Sequence, residues 1–371
     1  MLKLSRSAAL LCAGAFLLTL IAAEGALTAA GFDAAFRADV SYPPGLDTTA
    51  NFFARPYRLR TNGMGFRYRN IPSPKPAGET RVAVIGDSVI DGVGMREGLT
   101  TTQFLEHFYR MAGKKVRFMN FAVAGAGPHE YETVLERYIT HADADAVLLV
   151  IYANDLADMP QASLPDRPIL RRIARRFFPR IYTLFQKAAI RRQWLDMARK
   201  MAAIERAGSD GAPLPDEWMT AADIDSPASE LDWKRFEESF RRMRDFCAER
   251  DLPLWAVYVP HPYQYDPEYQ VRLPVPFVQR ERWLSGRSRF QERLENLCTG
   301  LTVPFFDMTG SLRSAQARSS APLNFRFDQH WNARGHYTSA AAIYGWLERL
   351  NRLSIARLSG EPNTSSLPSG S

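Results

Sequence analysis

Short apolar runs separated by amphipathic stretches dominate the middle of the chain. Val82–Ile85, Val116–Asn120, Ala146–Ile151, Leu254–Val259 and Thr302–Asp307 are four to six residues each, mostly branched or aromatic, and bounded by Gly, Pro, Asn or Asp. Runs of that length with little polar alternation predict strands covered on both faces. Between them, apolar positions fall three and four apart, the spacing of a helix with one buried face. One such helix is expected near Thr100–Ala112 and another from about Tyr337 to Leu353. Strands alternating with helices imply a parallel sheet with right-handed crossovers. The expected class is α/β: a three-layer sandwich over residues 81–355, its central parallel sheet flanked by helices and interrupted by a helical insertion.

The flanks break this pattern. Lys3 and Arg6 precede sixteen uncharged residues, Ala8–Ala23, which Glu24 ends. Crossing a bilayer takes about 20 apolar residues, with ~17 as the lower bound. Residues 1–31 therefore read as either a cleavable signal peptide or a short transmembrane signal anchor. The basic residues ahead of the run would keep the N-terminus in the cytoplasm and send the rest across. The expected location is a bacterial inner membrane facing the periplasm, or the periplasm and beyond if the segment is cleaved. Residues 32–80 form a poorly periodic lead-in, with candidate edge strands at Tyr57–Asn62 and Gly65–Tyr68 and an extended linker at Ile71–Pro76. Residues 356–371 are rich in Ser, Gly and Pro and are expected to be disordered.

Composition adds two points. At 371 residues, 46% hydrophobic and 12% aromatic, the chain can bury a sizeable core. Its net charge of +7 is local, because residues 164–207 hold twelve arginines and lysines against three acids. That basic stretch lies within an insertion of about 159–231 and carries apolar residues at helical intervals. It reads as an amphipathic segment on anionic lipid, as a lid or partner-binding cap, or as a helical insertion with a solvated basic face. Nucleic acid is not an expected partner, since a charge cluster alone is not a recognition fold. Outside the apolar segment only Cys247 and Cys298 remain, with no metal-binding spacing; no metal and no cofactor are expected.

Four segments carry chemistry, and each follows an apolar run. Gly86-Asp87-Ser88 ends the first, which places a hydroxyl where open α/β sheets put their ligand crevice. Asn120 and the small residues through Ala124-Gly125-Ala126-Gly127 follow the second and let backbone amides approach a ligand. The third run ends in Asn154-Asp155. Asp328-Gln329-His330 stands just before the last helix, followed by Trp331-Asn332 and Gly335-His336. A hydroxyl, a small-residue loop, an amide side chain and a carboxylate–imidazole pair are what acyl transfer by a serine nucleophile requires. Taken singly, Ser88 is a helix cap, Asn154-Asp155 a turn and His330 a surface histidine.

On these blocks the chain resembles the GDSL, or SGNH, hydrolase superfamily, over roughly Arg81 to Leu353. The resemblance puts the nucleophile at Ser88, the family glycine at Gly125, the family asparagine at Asn154 and the general base at His330. Two departures stand out. The last block is Asp-x-His rather than Asp-x-x-His, which leaves Asp328 as the orienting carboxylate, and Ala153 replaces a common glycine before Asn154. The backbone N–H groups of Ser88 and Gly125 and the Asn154 amide would form the oxyanion hole, with Asp87 supporting the serine loop. The activity so implied is hydrolysis of an acyl or acetyl ester, with an O-acetylated glycan or a small acyl ester as substrate. Two other classes stay open: an O-acyltransferase modifying envelope or exported polysaccharide, and a non-catalytic envelope assembly protein on the same fold.

Overall fold

The computed structural model describes residues 6–30, 42, 44–52, 55–156, 227–272, 280–326 and 328–358, with five positions between 177 and 184. Helix α1, Arg6–Ala29, opens the chain, and a hairpin of β1, Asp47–Phe52, and β2, Arg55–Arg60, follows. The five apolar runs then pair into one sheet: β3, Thr80–Ile85; β4, Val116–Asn120; β5, Ala146–Tyr152; β6, Leu254–Val259; and β7, Phe305–Asp307. The order is β4-β3-β5-β6-β7 and every pairing is parallel. The chain leaves β3 toward β4 and returns to β5 on the other side. That reversal opens a crevice at the carboxyl ends of the strands.

Both faces of the sheet are covered, which is why the middles of its strands show little polar alternation. Val82, Val84, Phe118, Leu148, Val150 and Val257 pack on one face against Leu105 and Tyr109 of α3, Thr101–Met111, and Ala340, Ile343 and Leu347 of the helix Ala333–Leu358. Ala83, Ile85, Met119, Leu149, Ile151 and Tyr258 point the other way. They meet Tyr131 and Val134 of α4, Pro128–Val134, Phe236 and Phe240 of the helix Pro227–Ala248, and Leu294 of the helix Arg289–Gly300. Each such side chain fully buried contributes about 1.5–3 kcal/mol. Cys247 and Cys298 are buried free thiols on this second face, their ionisation pushed up to about 12 by burial.

Several elements depart from the sequence pattern, each for a local reason. β7 begins at Phe305 rather than Thr302, because Thr302 and Val303 close the preceding helix: their N–H groups donate to the Thr299 and Cys298 carbonyls. Pro304 then has no N–H to give. Gly65–Tyr68 is not a strand, because the Asn62 carboxamide accepts from the N–H groups of Met64 (3.0 Å) and Phe66 (3.1 Å) and curls the chain. The last helix starts four residues early, at Ala333, where Asn332 Oδ1 accepts from the Arg334 and Gly335 N–H groups.

At the N-terminus, α1 exposes Leu11, Phe16, Leu17, Leu18 and Ile21. Among the described residues no helix is long and apolar enough to cross a membrane. The Glu24 carboxylate of α1 accepts from the backbone N–H groups of Arg180 and Ile181, both at 3.0 Å. Apart from its five described positions, the basic stretch 164–207 lies outside the described residues, as does the tail beyond 358.

Candidate active site

The nucleophile turn is built by close approach of two strands. β3 ends at Ile85, and a Cβ on the next residue, Gly86, would lie 3.0 Å from the Val150 carbonyl oxygen and 3.3 Å from Val150 Cβ. A side chain there would push β5 back by a few tenths of an ångström. Asp87 is the N-cap of α2, Ser88–Asp91, its Oδ1 accepting from the Val89 N–H at 2.9 Å. The apolar run thus stops where a capped helix must begin, and Ser88 stands at its first position.

The neighbouring loops open beside it. Val123 N–H donates to the Gly86 carbonyl at 2.9 Å, tying the segment after β4 to the nucleophile turn. Asn120 braces the same corner, donating to the Ile90 carbonyl (3.3 Å) and accepting from the Ala122 N–H (3.0 Å). Gly125 sits at φ +76°, in the left-handed region, with nothing within 4 Å of a Cβ placed there. Backbone conformation, not crowding, requires glycine at that point. After β5, the buried Asp155 carboxylate accepts from the Tyr152 N–H (3.1 Å) and the Tyr131 hydroxyl (3.0 Å) and so shapes the turn that presents Asn154. Ala153 fits that turn, its N–H donating to the Val259 carbonyl at 3.1 Å.

The last block completes a relay. His330 Nε2 lies 2.8 Å from Ser88 Oγ, and His330 Nδ1 lies 2.5 Å from Asp328 Oδ1. The same Asp328 oxygen also accepts from the His330 backbone N–H at 2.7 Å. An aspartate that holds its own second neighbour in this way forms an Asx-type turn. This is how the short Asp-x-His spacing still lets carboxylate meet imidazole. Asn324 fixes the turn from outside, donating to the Gln329 carbonyl at 2.5 Å, and Gln329 Oε1 accepts from the Tyr152 hydroxyl at 3.3 Å.

Charge is unevenly distributed around the serine. Burial pulls the His330 imidazole down, but the Asp328 carboxylate, with Asp87 and Asp91 behind it, more than offsets this and raises it above the ordinary value. Burial pushes Asp87 up to about 6, against the pull of the Val89 N–H and His330. It pushes Asp91 up to about 6 as well, opposed by the Arg67 guanidinium and the Tyr42 hydroxyl. His336 is different: burial lowers it to about 3, and its Nδ1 is 3.2 Å from the Thr101 N–H donor and 2.8 Å from Thr101 Oγ1. It is a neutral support at the start of α3. Among the described residues no group of three or more His, Cys, Asp or Glu could hold a metal ion.

Ser88, His330 and Asp328 are therefore in hydrogen-bond contact, and Gly125 and Asn154 stand on the loops of the two strands that flank β3. A serine hydroxyl against an imidazole that is itself held by a carboxylate is an activated nucleophile. Motif reading passed over Tyr42, Arg67 and Asp91, which meet behind α2. The one local signal was a carboxylate, Asp91, three residues past the serine in an otherwise apolar Val89-Ile90 context.

No family model matches the chain, and no curated protein matches it. Among solved structures, it is similar to the acetyl xylan esterase AlAXEase, at 10% identity and TM-score 0.43, over 72% of this chain and 99% of that one. It is similar to TesA at 10% identity and TM-score 0.41, over 73% of this chain and 99% of that one. A third similar structure is the psychrotrophic esterase EstA from Pseudoalteromonas sp., at 9% identity and TM-score 0.42, over 74% of this chain and 99% of that one.

Proposed function

We propose that the chain is a serine ester hydrolase of the GDSL, or SGNH, type that cleaves acyl or acetyl esters through Ser88, His330 and Asp328. The observation that carries the reading is the unbroken contact from Ser88 Oγ to His330 Nε2 at 2.8 Å and from His330 Nδ1 to Asp328 at 2.5 Å. His330 takes the Ser88 proton as the oxygen attacks the ester carbonyl, and Asp328 holds the tautomer and stabilises the imidazolium. The N–H groups of Ser88 and Gly125 and the Asn154 amide receive the oxyanion; one such donor supplies about 2.7–4 kcal/mol of transition-state stabilisation. Protonated His330 then returns its proton to the departing alcohol, leaving an acyl-enzyme. Water, deprotonated by the same imidazole, attacks that acyl group and releases the acid and free Ser88.

The enzyme works at the periplasmic face of a bacterial inner membrane, where O-acetylated glycans and small acyl esters are available. Support comes from Lys3 and Arg6 ahead of an apolar helix that leaves Leu11, Phe16 and Leu18 exposed. Protease accessibility of the folded domain in spheroplasts, but not in intact cells, is the expected sign of that placement; resistance in both speaks for the cytoplasm.

The activity is tested with the full chain in detergent on short-chain p-nitrophenyl esters, beside Ser88→Ala. The expected result is turnover by the natural chain and a fall in kcat on the order of 10⁶ in the variant. Equal rates in the two proteins would overturn the assignment of Ser88.

A further inference from the structure

The lead-in between residues 42 and 70 reaches the back of the nucleophile. Tyr57 and Leu59 of β2 pack with Tyr42 into a small apolar cluster of their own. The Arg67 guanidinium lies over the Tyr57 ring, 5.1 Å from its centroid. From there the buried Arg67 side chain extends under the loop that follows α2. Its Nη1 donates to the Asp91 carbonyl at 3.2 Å and to the Gly92 carbonyl, and its Nη2 donates to the Met95 carbonyl. Tyr42 donates its hydroxyl to Asp91 Oδ2 at 3.0 Å.

All four acceptors lie three to seven residues beyond Ser88. Helix α2 is four residues long, a single turn. A lone turn is costly to nucleate, and the last carbonyls of any helix lack partners within it. At the start of α2, Asp87 supplies the cap; at its end, Arg67 takes the last carbonyl, Asp91, with those of Gly92 and Met95 just beyond it, and Tyr42 takes the Asp91 side chain. A planar fork is the side chain that reaches three carbonyls from one buried position. Without these contacts the far end of α2 would be held from outside by the Asn120 amide on the Ile90 carbonyl, a 3.3 Å bond, and Ser88 would be free to shift against His330.

We propose that Arg67 and Tyr42 are positioning residues for the nucleophile: the lead-in clamps the far end of α2 and so sets Ser88 Oγ against His330. This inference rests on the ester-hydrolase reading above. It makes the lead-in part of the catalytic unit and not a tether between membrane and enzyme.

The test compares the full chain with Arg67→Ala, Arg67→Lys, Tyr42→Phe and Arg58→Ala. For each, kcat and KM on a p-nitrophenyl ester are measured separately, along with the melting temperature and the rate of Ser88 labelling by a fluorophosphonate. Arg67→Ala is expected to lose about 100-fold in kcat with KM unchanged, the size of effect that small misplacement produces. Millimolar guanidinium is expected to restore part of that loss, and Arg67→Lys, a point charge without the fork, is expected to stay low. Tyr42→Phe, which keeps the ring in its cluster but takes a donor from the buried Asp91 carboxylate, is expected to lose about tenfold in kcat and to melt lower than the natural chain. Arg58 pairs with Asp47 on the exposed surface, so Arg58→Ala is expected to match the natural chain.

A folded Arg67→Ala with natural kcat and labelling rate overturns the inference. Where Arg67→Ala fails to fold, natural kcat in Tyr42→Phe overturns it. Activity in the natural chain with unaffected variants sinks this inference alone. Absence of both turnover and labelling in the natural chain sinks the ester-hydrolase reading, and this inference with it.

Discussion

The two sides of the sheet serve the site by different means. On the β4-β3-β5 side, Ser88, Gly125 and Asn154 are presented by the backbone: a glycine contact between strands, a left-handed glycine and a carboxylate-bound turn. On the β6-β7 side, the loop that directly follows β6 carries none of the proposed reacting groups. Its side chains instead hold the Asp328–His330 turn from behind, as Tyr265 does by donating to the Asn324 carboxamide that in turn grips Gln329. Residues of the first kind are set by local chain geometry and, in the proposed mechanism, act on the substrate. Those of the second kind are set by tertiary contacts and act through another residue. The contrast makes quantitative demands: substitutions on the two sides should separate into losses of rate and losses of stability.

Asp328 stands where the two sides meet and should give the largest effect after Ser88 itself. Because the carboxylate outweighs burial and holds His330 above its ordinary value of 6.5, the base is neutral only at higher pH. The expected kcat/KM profile therefore rises through a limb lying above pH 6.5. Asp328→Asn removes the anion that favours the imidazolium, so the limb moves to lower pH. The plateau falls on the order of 10⁴, because the amide also disfavours the needed tautomer. A pH–rate series on both proteins checks this. An unmoved limb with a loss below about tenfold would remove Asp328 from the relay.

Asn154 isolates the first side. It is only half-buried, and the Asp155 carboxylate fastens the turn around it. Asn154→Ala is expected to fold as the natural chain does, to keep KM, and to lose about 10²–10³ in kcat as an oxyanion donor disappears. Steady-state kinetics beside a thermal melt separate these outcomes. A drop in melting temperature with kcat retained would make Asn154 a structural turn residue instead.

This division also explains what could be read from the sequence. The strands were legible because their faces are uniformly apolar, and β4 and β6 fall on the expected bounds. Ser88, Asn154 and His330 were legible because each follows an apolar run or precedes a helix, whereas Gly125 was singled out within its small-residue loop by the resemblance alone. Contacts made by distant residues leave no such mark. Arg67 meets the Asp91 carbonyl across 24 positions, and Tyr42 meets the Asp91 carboxylate across 49. Periodicity within an element carries nothing about either pairing. Gly65–Tyr68 failed as a strand for a related reason, since the Asn62 side chain competes for the backbone and wins. Asp-x-His shows the opposite lesson. A spacing of one intervening residue still brings carboxylate and imidazole together, because a single oxygen serves both the backbone and the ring of His330.

The smallest expected effect on rate is on the β6-β7 side, at Tyr265. This ring is buried, donates its hydroxyl to Asn324 Oδ1 and accepts from the Trp331 side chain. Tyr265→Phe leaves the packing in place and strands the Asn324 oxygen without that donor. An unsatisfied buried group of this kind costs about 1–3 kcal/mol, which should appear as a lower midpoint in urea with an unchanged slope. The rate should fall by less than about tenfold, since Asp328 still accepts from both His330 nitrogens in the turn and the relay stays closed. Were kcat to collapse while the urea midpoint held, the β6-β7 side would be setting the chemistry directly. Division of the site into a backbone-built half and a side-chain-braced half would then be wrong at Tyr265 itself.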